Sequence, residues 1–191
     1  ITSSNGTYNF IGQSGDMYPQ LPLLEDNARQ LNISVPVLFS GISKTFFCVA
    51  DDELRPVMNG IFFDIAPDSL TLVATDAHKL VRFKSAYLSA SIKEDETFNF
   101  ILPKKPAIML RNILPKESGE VEIHFDAKNA YFKLSNYTMV CRQVEGRYPN
   151  YNGVIPKNNP YKVIADRVTL LNALKRVSVF SNQASNLIKL V

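Results

Sequence analysis

The sequence is poor in the residues that most chemistry needs. Its 191 residues include two histidines and two cysteines. Cys48 and Cys141 cannot build a disulfide framework, and so sparse a use of cysteine points to a reducing, cytoplasmic setting. There is no HExxH helix, no glycine-rich phosphate loop and no GxSxG elbow, which removes the commonest hydrolase and nucleotide-binding chemistries. Apolar runs stay at a few residues, such as Ile61-Phe62-Phe63, so no helix could span a bilayer. What remains is a globular composition, 46% hydrophobic and 20% charged, able to bury a core.

The net charge of +3 is uneven. It is −2 over residues 1–30, −3 over 31–100 and +8 over 101–191. A basic half beside a weakly acidic one suggests a polyanion near one face.

Hydrophobic periodicity predicts a helix over 35–50, with Ser34 as its cap and Pro36 in its first turn. Leu38, Ile42, Phe46 and Val49 form its apolar stripe. Strands are predicted at 60–65, 70–74, 78–84 and 98–102, with Pro67-Asp68-Ser69 as a turn. Pro103 opens a second helix through Leu114, which Pro115 stops. Val121, Ile123 and Phe125 alternate with Glu122, His124 and Asp126 as a half-buried strand. Strands near 130–134 and 137–144 follow. Residues 161–165 read as extended, and a third helix at 167–180 is capped by Asp166. The class is α+β, built from antiparallel hairpins and helices.

The chain also resembles itself. Gln13, Tyr18 and Pro19 recur as Gln143, Tyr148 and Pro149, at an offset of 130. Leu38, Ile42 and Lys44 correspond to Leu170, Leu174 and Arg176, at an offset of 132. Strand, Tyr-Pro linker, extended segment and amphipathic helix recur in one order. A repeat longer than half the chain predicts one whole unit at 23–149. Residues 1–22 would then be the last strand and linker of a preceding unit. Residues 150–191 would open a following one, with another strand beginning at Leu187–Val191. The expectation is a fragment of a longer protein.

Three stretches carry a family resemblance: Leu54-Arg55-Pro56-Val57-Met58-Asn59-Gly60-Ile61, Val73-Ala74-Thr75-Asp76-Ala77-His78-Lys79-Leu80 and Glu145-Gly146-Arg147-Tyr148-Pro149-Asn150-Tyr151. Together they resemble the bacterial sliding clamp, the β subunit of the DNA polymerase III holoenzyme, over essentially the whole chain. The resemblance implies a DNA clamp fold, with antiparallel sheets outside and paired amphipathic helices facing a central DNA hole. It implies three similar domains per chain and a homodimer ring around double-stranded DNA. By that resemblance 1–22 closes domain 1, 23–149 is domain 2 and 150–191 begins domain 3.

The same resemblance implies a non-catalytic processivity factor with no cofactor and no metal. Its partners would be duplex DNA, the polymerase III α subunit, the clamp loader and other proteins carrying a clamp-binding motif, with no membrane. Lys44, Arg55, Lys104, Lys105, Arg111, Lys175 and Arg176 would face DNA, although Asp51, Asp52 and Glu53 beside Arg55 repel phosphate. A groove between domains 2 and 3, holding partner peptides, would include Met58, Thr75, Ala77, His78, Lys79, Leu80, Pro149 and Val154. Gly153 stands where the family commonly has an arginine. Phe10, Val179 and Phe180 would belong to the dimer interface.

Two other classes fit parts of the sequence. Asp76 and His78 have a metal-ligand spacing that would suit a metal-dependent hydrolase. An α+β interaction module without a DNA role would explain the same hairpins and helices.

Overall fold

The computed structural model describes residues 1–86, 96–182 and 187–190. The chain forms two compact units, 1–151 and 152–191.

The first unit begins with a small exposed hairpin, β1 (Thr2–Ser3) and β2 (Gly6–Thr7). Then come β3 (Arg29–Ser34), α1 (Val35–Thr45), β4 (Gly60–Ala66), β5 (Ser69–Thr75) and β6 (Leu80–Ala86). After residues 87–95, which lie outside the described set, β7 (Phe98–Pro103), α2 (Lys104–Ile113), β8 (Glu120–Phe125), β9 (Asn129–Lys133) and β10 (Thr138–Arg142) repeat the pattern. Each half is thus a strand, a helix and three strands. The halves exchange their first strands: the sheets run β10-β9-β8-β3 and β6-β5-β4-β7, all antiparallel. This exchange ties the halves into one core, because neither four-stranded sheet is complete without a strand from the other half.

The core forms where helices meet sheets. Leu31, Ile33, Val121, Ile123 and Phe132 from one sheet, and Ile61, Phe63, Leu70 and Leu72 from the other, are fully buried. Leu38 and Ile42 of α1 and Ala107, Leu110 and Leu114 of the α2 segment join them. Sequence alternation is therefore right for β8, where Val121, Ile123 and Phe125 point inward. Gly41 explains the close seat of α1. A Cβ there would lie 3.1 Å from both Leu72 Cδ2 and Phe83 Cδ1, so a larger residue would require these side chains to give way by a few tenths of an ångström.

Several local expectations change. Ser34 occupies the cap position of α1 but makes no side-chain cap hydrogen bond. A cap oxygen accepts from the second or third helical N–H, and the second residue here is Pro36, which has none. The α-helix ends at Thr45, whose hydroxyl donates to Gly41 O at 2.8 Å, and Phe46–Cys48 continues as a 3-10 turn. Phe46 and Val49 are therefore only half-buried. Asp126, read as an outward strand position, is buried. It closes the β8–β9 turn by accepting from Lys128 N and Asn129 N, each at 2.7 Å, and also from Glu25 N at 3.1 Å. Burial pushes its carboxyl up, and these N–H groups more than offset that, so it ionises below its ordinary range. Within 1–22 the strands are the two-residue β1 and β2; residues 8–14 carry no regular structure, and Phe10 lies in no strand.

In the second unit, reached through the single helical turn Tyr151–Val154 (α3), the one long element is α4 (Arg167–Ser178). Asp166 caps it, accepting from Thr169 N at 2.8 Å. The extended segment expected at 161–165 forms no strand, and neither do the described residues 187–190; Val191 lies outside the described set. A strand needs a partner, and among the described residues this unit contains no other strand. Among the described residues no helix is long and apolar enough to cross a membrane.

Candidate partner-binding and nucleic-acid surfaces

β5 is buried at all seven positions, an unusual pattern for an antiparallel strand. One face meets the helices through Leu70 and Leu72. The other is covered by the Gly146–Tyr151 segment. Gly146 has φ +125°, and a Cβ there would lie 2.7 Å from Val57 Cγ1, so only glycine fits without strain. Beyond it, the Tyr148 ring stacks on Phe62 at 4.6 Å and 8°. Tyr151 donates its hydroxyl to Asp64 Oδ2 at 2.6 Å. Phe62 lies opposite both Val73 and Ile101 in register, so the tyrosines sit on the face that bears those side chains. The Tyr148 hydroxyl is buried without a well-formed hydrogen bond. Burial pushes its phenol up to about 12, and the backbone of Thr75 beside it offsets only part of the rise.

The segment Thr75–Leu80 is a tight turn between β5 and β6. The Thr75 hydroxyl donates to Lys79 O at 2.8 Å and accepts from Ala77 N at 3.1 Å. Asp76 Oδ1 accepts from His78 N and Lys79 N at 3.0 and 2.9 Å, and Oδ2 pairs with Lys79 Nζ. The Lys79 side chain, then these N–H groups, hold the Asp76 carboxyl far below its ordinary range. Thr75 and Asp76 thus build the turn, while Ala77, His78 and Lys79 are lifted into solvent. The Asp76 carboxylate is committed to this turn rather than aimed beside His78 as a metal ligand. Among the described residues no group of three or more His, Cys, Asp or Glu is placed to hold a metal.

The turn stores strain. Ala77 has φ +74°, the one positive-φ non-glycine residue among those described, and an L side chain there costs on the order of 1 kcal/mol. Ala77→Gly removes that cost but gives the unfolded chain more freedom, worth about 0.4–1 kcal/mol. The expected net change in urea denaturation is a gain of up to about 0.5 kcal/mol. Ala77→Val should instead destabilise by more than about 1 kcal/mol. A stabilising valine would show that the turn is not held in this conformation.

Met58 ends a 3-10 turn, Pro56–Met58, and its carbonyl accepts from Ala50 N at 3.0 Å. Extending the β4–β5 register sets Gly60 against Thr75, which brings Met58 beside the same turn. Leu80 pairs with Thr75 at the start of β6. Met58, Leu80 and Pro149 are half-buried, so each leaves apolar surface accessible. Val154 belongs to the second unit and is 70% exposed.

The cations have neighbours that come from elsewhere in the chain. Lys44 Nζ sits 5.4 Å over the Phe83 ring, and Arg111 lies 4.6 Å over Phe46. Lys104 Nζ pairs with Asp51 Oδ2 at 2.9 Å, and Arg55 Nη2 with Asp52 Oδ2 at 2.7 Å. Lys105 is exposed, as are Lys175 and Arg176 in the last turn of α4. Val179 and Phe180, just past that helix, are 78% and 89% exposed, and Phe10 is 73% exposed. The two cysteines are buried; burial raises the Cys48 thiol and pushes Cys141 up to about 12, so both stay protonated.

Sequence reasoning missed Phe62, Asp64 and Tyr151 as the seat of the Tyr-Pro segment. The available signal was β5 itself, Ser-Leu-Thr-Leu-Val-Ala-Thr, which lacks a charged face and must be covered on both sides.

Comparison with known proteins gives a consistent picture. The family model "DNA polymerase III beta subunit, central domain" matches residues 32–150. The beta sliding clamp of Staphylococcus aureus is 33% identical over 97% of this chain and 48% of its own length. That of Synechococcus elongatus is 28% identical over 100% of this chain and 50% of its own. The crystal structure of the Bacillus subtilis clamp superposes with a TM-score of 0.80 at 28% identity, covering 90% of this chain and 44% of that one. A Bartonella birtlesii clamp bound to griselimycin gives 0.78 at 28% identity, over 90% and 46%. The chain spans about half the length of the curated relatives it matches. With the clamp fold and the family match both in place, this chain belongs to the DNA polymerase III beta subunit family.

Proposed function

We propose that this chain is part of a sliding clamp that encircles duplex DNA and tethers the replicative polymerase for processive synthesis. In this reading 1–22 closes a first domain, 23–149 is the central domain and 150–191 begins a third. The protein performs no chemistry. Holding a polymerase beside its template raises its effective concentration, as any tether does. Lys44, Arg55, Lys104, Lys105, Arg111, Lys175 and Arg176 would meet phosphate, which is sequence-blind and salt-dependent.

Partner peptides would dock on the apolar side chains of Met58, Leu80 and Pro149 in the first unit, with Ala77, His78 and Lys79 of the Thr75–Leu80 turn at the rim. Methionine adapts to varied ligands. The Bartonella clamp's complex with griselimycin supports a ligand site in this fold. The ring would close as a homodimer through Phe10, Val179 and Phe180. The observation that carries the reading is the match to a beta sliding clamp along 97% of the chain.

Topological retention is the test. The complete clamp, loaded on nicked circular DNA, is expected to survive a high-salt wash and to be lost when the circle is linearised. Equal loss from circles and linear DNA would overturn the proposal.

A further inference from the structure

The loop between α1 and β4 carries Asp51, Asp52 and Glu53 among cations expected to face DNA. In the first unit that surface holds five cations, Lys44, Arg55, Lys104, Lys105 and Arg111, against these three carboxylates. Two of the carboxylates are engaged. Asp51 reaches across to the first residue of α2 and pairs with Lys104 at 2.9 Å. Asp52 Oδ2 accepts from Arg55 Nε at 2.8 Å and meets Nη2 at 2.7 Å. The Asp52 position is itself fixed: its N–H donates to Asn59 Oδ1, its carbonyl accepts from Asn59 Nδ2, and its Oδ1 accepts from Leu54 N. Glu53 is exposed and forms no ion pair among the described residues.

Resting on the DNA reading above, we propose that Asp51 and Asp52 are positioning residues that compete with phosphate for Lys104 and Arg55, keeping the clamp's grip on DNA weak. Arg55 can satisfy the Asp52 carboxylate or a phosphate in its fork, not both at once. The pairs are exposed, so a phosphate can displace them, but each displacement leaves a carboxylate beside the DNA anion. A ring that must slide gains from such contacts because no single phosphate holds it. Arg55 holds the Asp52 carboxyl below its ordinary range, so the competitor stays charged at neutral pH.

The test compares duplex binding by the complete clamp, followed by fluorescence anisotropy between 50 and 200 mM salt. Asp51→Asn with Asp52→Asn should free two cations. The slope of log affinity against log salt should then steepen by about 1.8, equivalent to about a tenfold extra gain on going from 200 to 50 mM. Glu53→Gln removes a like charge that holds no cation, and its slope should match wild type. Lys104→Gln with Arg55→Gln should weaken wild-type binding, because both cations meet phosphate and their loss leaves Asp51 and Asp52 unpaired, and in the Asn background it should erase the gain in slope. A merely structural effect of the Asn changes would not be erased in this way. If wild type binds and the Asn pair behaves like Glu53→Gln, the proposal falls alone. If no form binds duplex, the clamp reading falls with it.

Discussion

Replacing Met58 and Leu80 together by aspartate in the complete clamp should weaken partner-peptide binding at least about a hundredfold while the ring still assembles. A hundredfold is about 2.7 kcal/mol. Removing two apolar contacts worth about 1.5–3 kcal/mol each, and placing two carboxylates that a docked peptide must desolvate, exceeds that. The fold should tolerate both changes. Neither side chain belongs to the buried core. Met58 serves the fold through its carbonyl bond to Ala50, which aspartate keeps. Leu80 opens β6, which among the described residues is an edge strand paired with β5 alone, and its side chain shares a face with the exposed Arg82 and Lys84. The check is a titration with a labelled clamp-binding peptide beside a sedimentation measurement of the oligomer. Loss of dimer and peptide together would count against the assignment of this patch.

Local patterns were legible where a segment's fate depends on its own neighbours. Leu38 and Ile42 announce α1, Asp166 announces the start of α4, and the alternation at 121–125 announces β8. Pairing was not legible, because it depends on residues far along the chain. Nothing in Arg29–Ser34 says that it will lie beside Glu120–Phe125 instead of the strands that follow it. The site shows the same division. The Thr-Asp-Ala-His-Lys-Leu stretch was recognisable, yet the left-handed Ala77 arises from Thr75 and Asp76 bonding back to the turn. Lys104 and Arg111 were legible as cations of the second helix, but their partners Asp51 and Phe46 come from another segment. Phe10 and the 161–165 segment were expected to be extended, and no strand forms at either. A strand signal is completed only by a partner edge.

The largest stability loss from a single truncation is expected at Phe63, where Phe63→Ala should cost about 3–5 kcal/mol. The ring is fully buried in β4 and stacks on Phe100 of β7 at 4.6 Å and 14°. Phe100 meets Phe125 of β8 at 5.0 Å, and Phe125 in turn meets Phe98 at 6.3 Å. These rings run from one four-stranded sheet into the other, so the truncation opens a cavity at the seam that the exchanged strand β7 closes. Aromatic pairs add about 0.5–1.5 kcal/mol beyond area burial, so Phe63→Ala and Phe100→Ala should be non-additive: the double variant should lose less than the two singles combined. Against a domain stability of about 5–15 kcal/mol, one such loss is a large share. Phe63 faces the helices whereas Phe62 carries Tyr148 on the opposite face, so the molecules that remain folded should bind partner peptide with unchanged affinity. Urea denaturation of the singles and the double, with peptide binding measured per folded molecule, checks both halves. A loss under about 1 kcal/mol at Phe63 would mean that the two sheets are not joined through these rings.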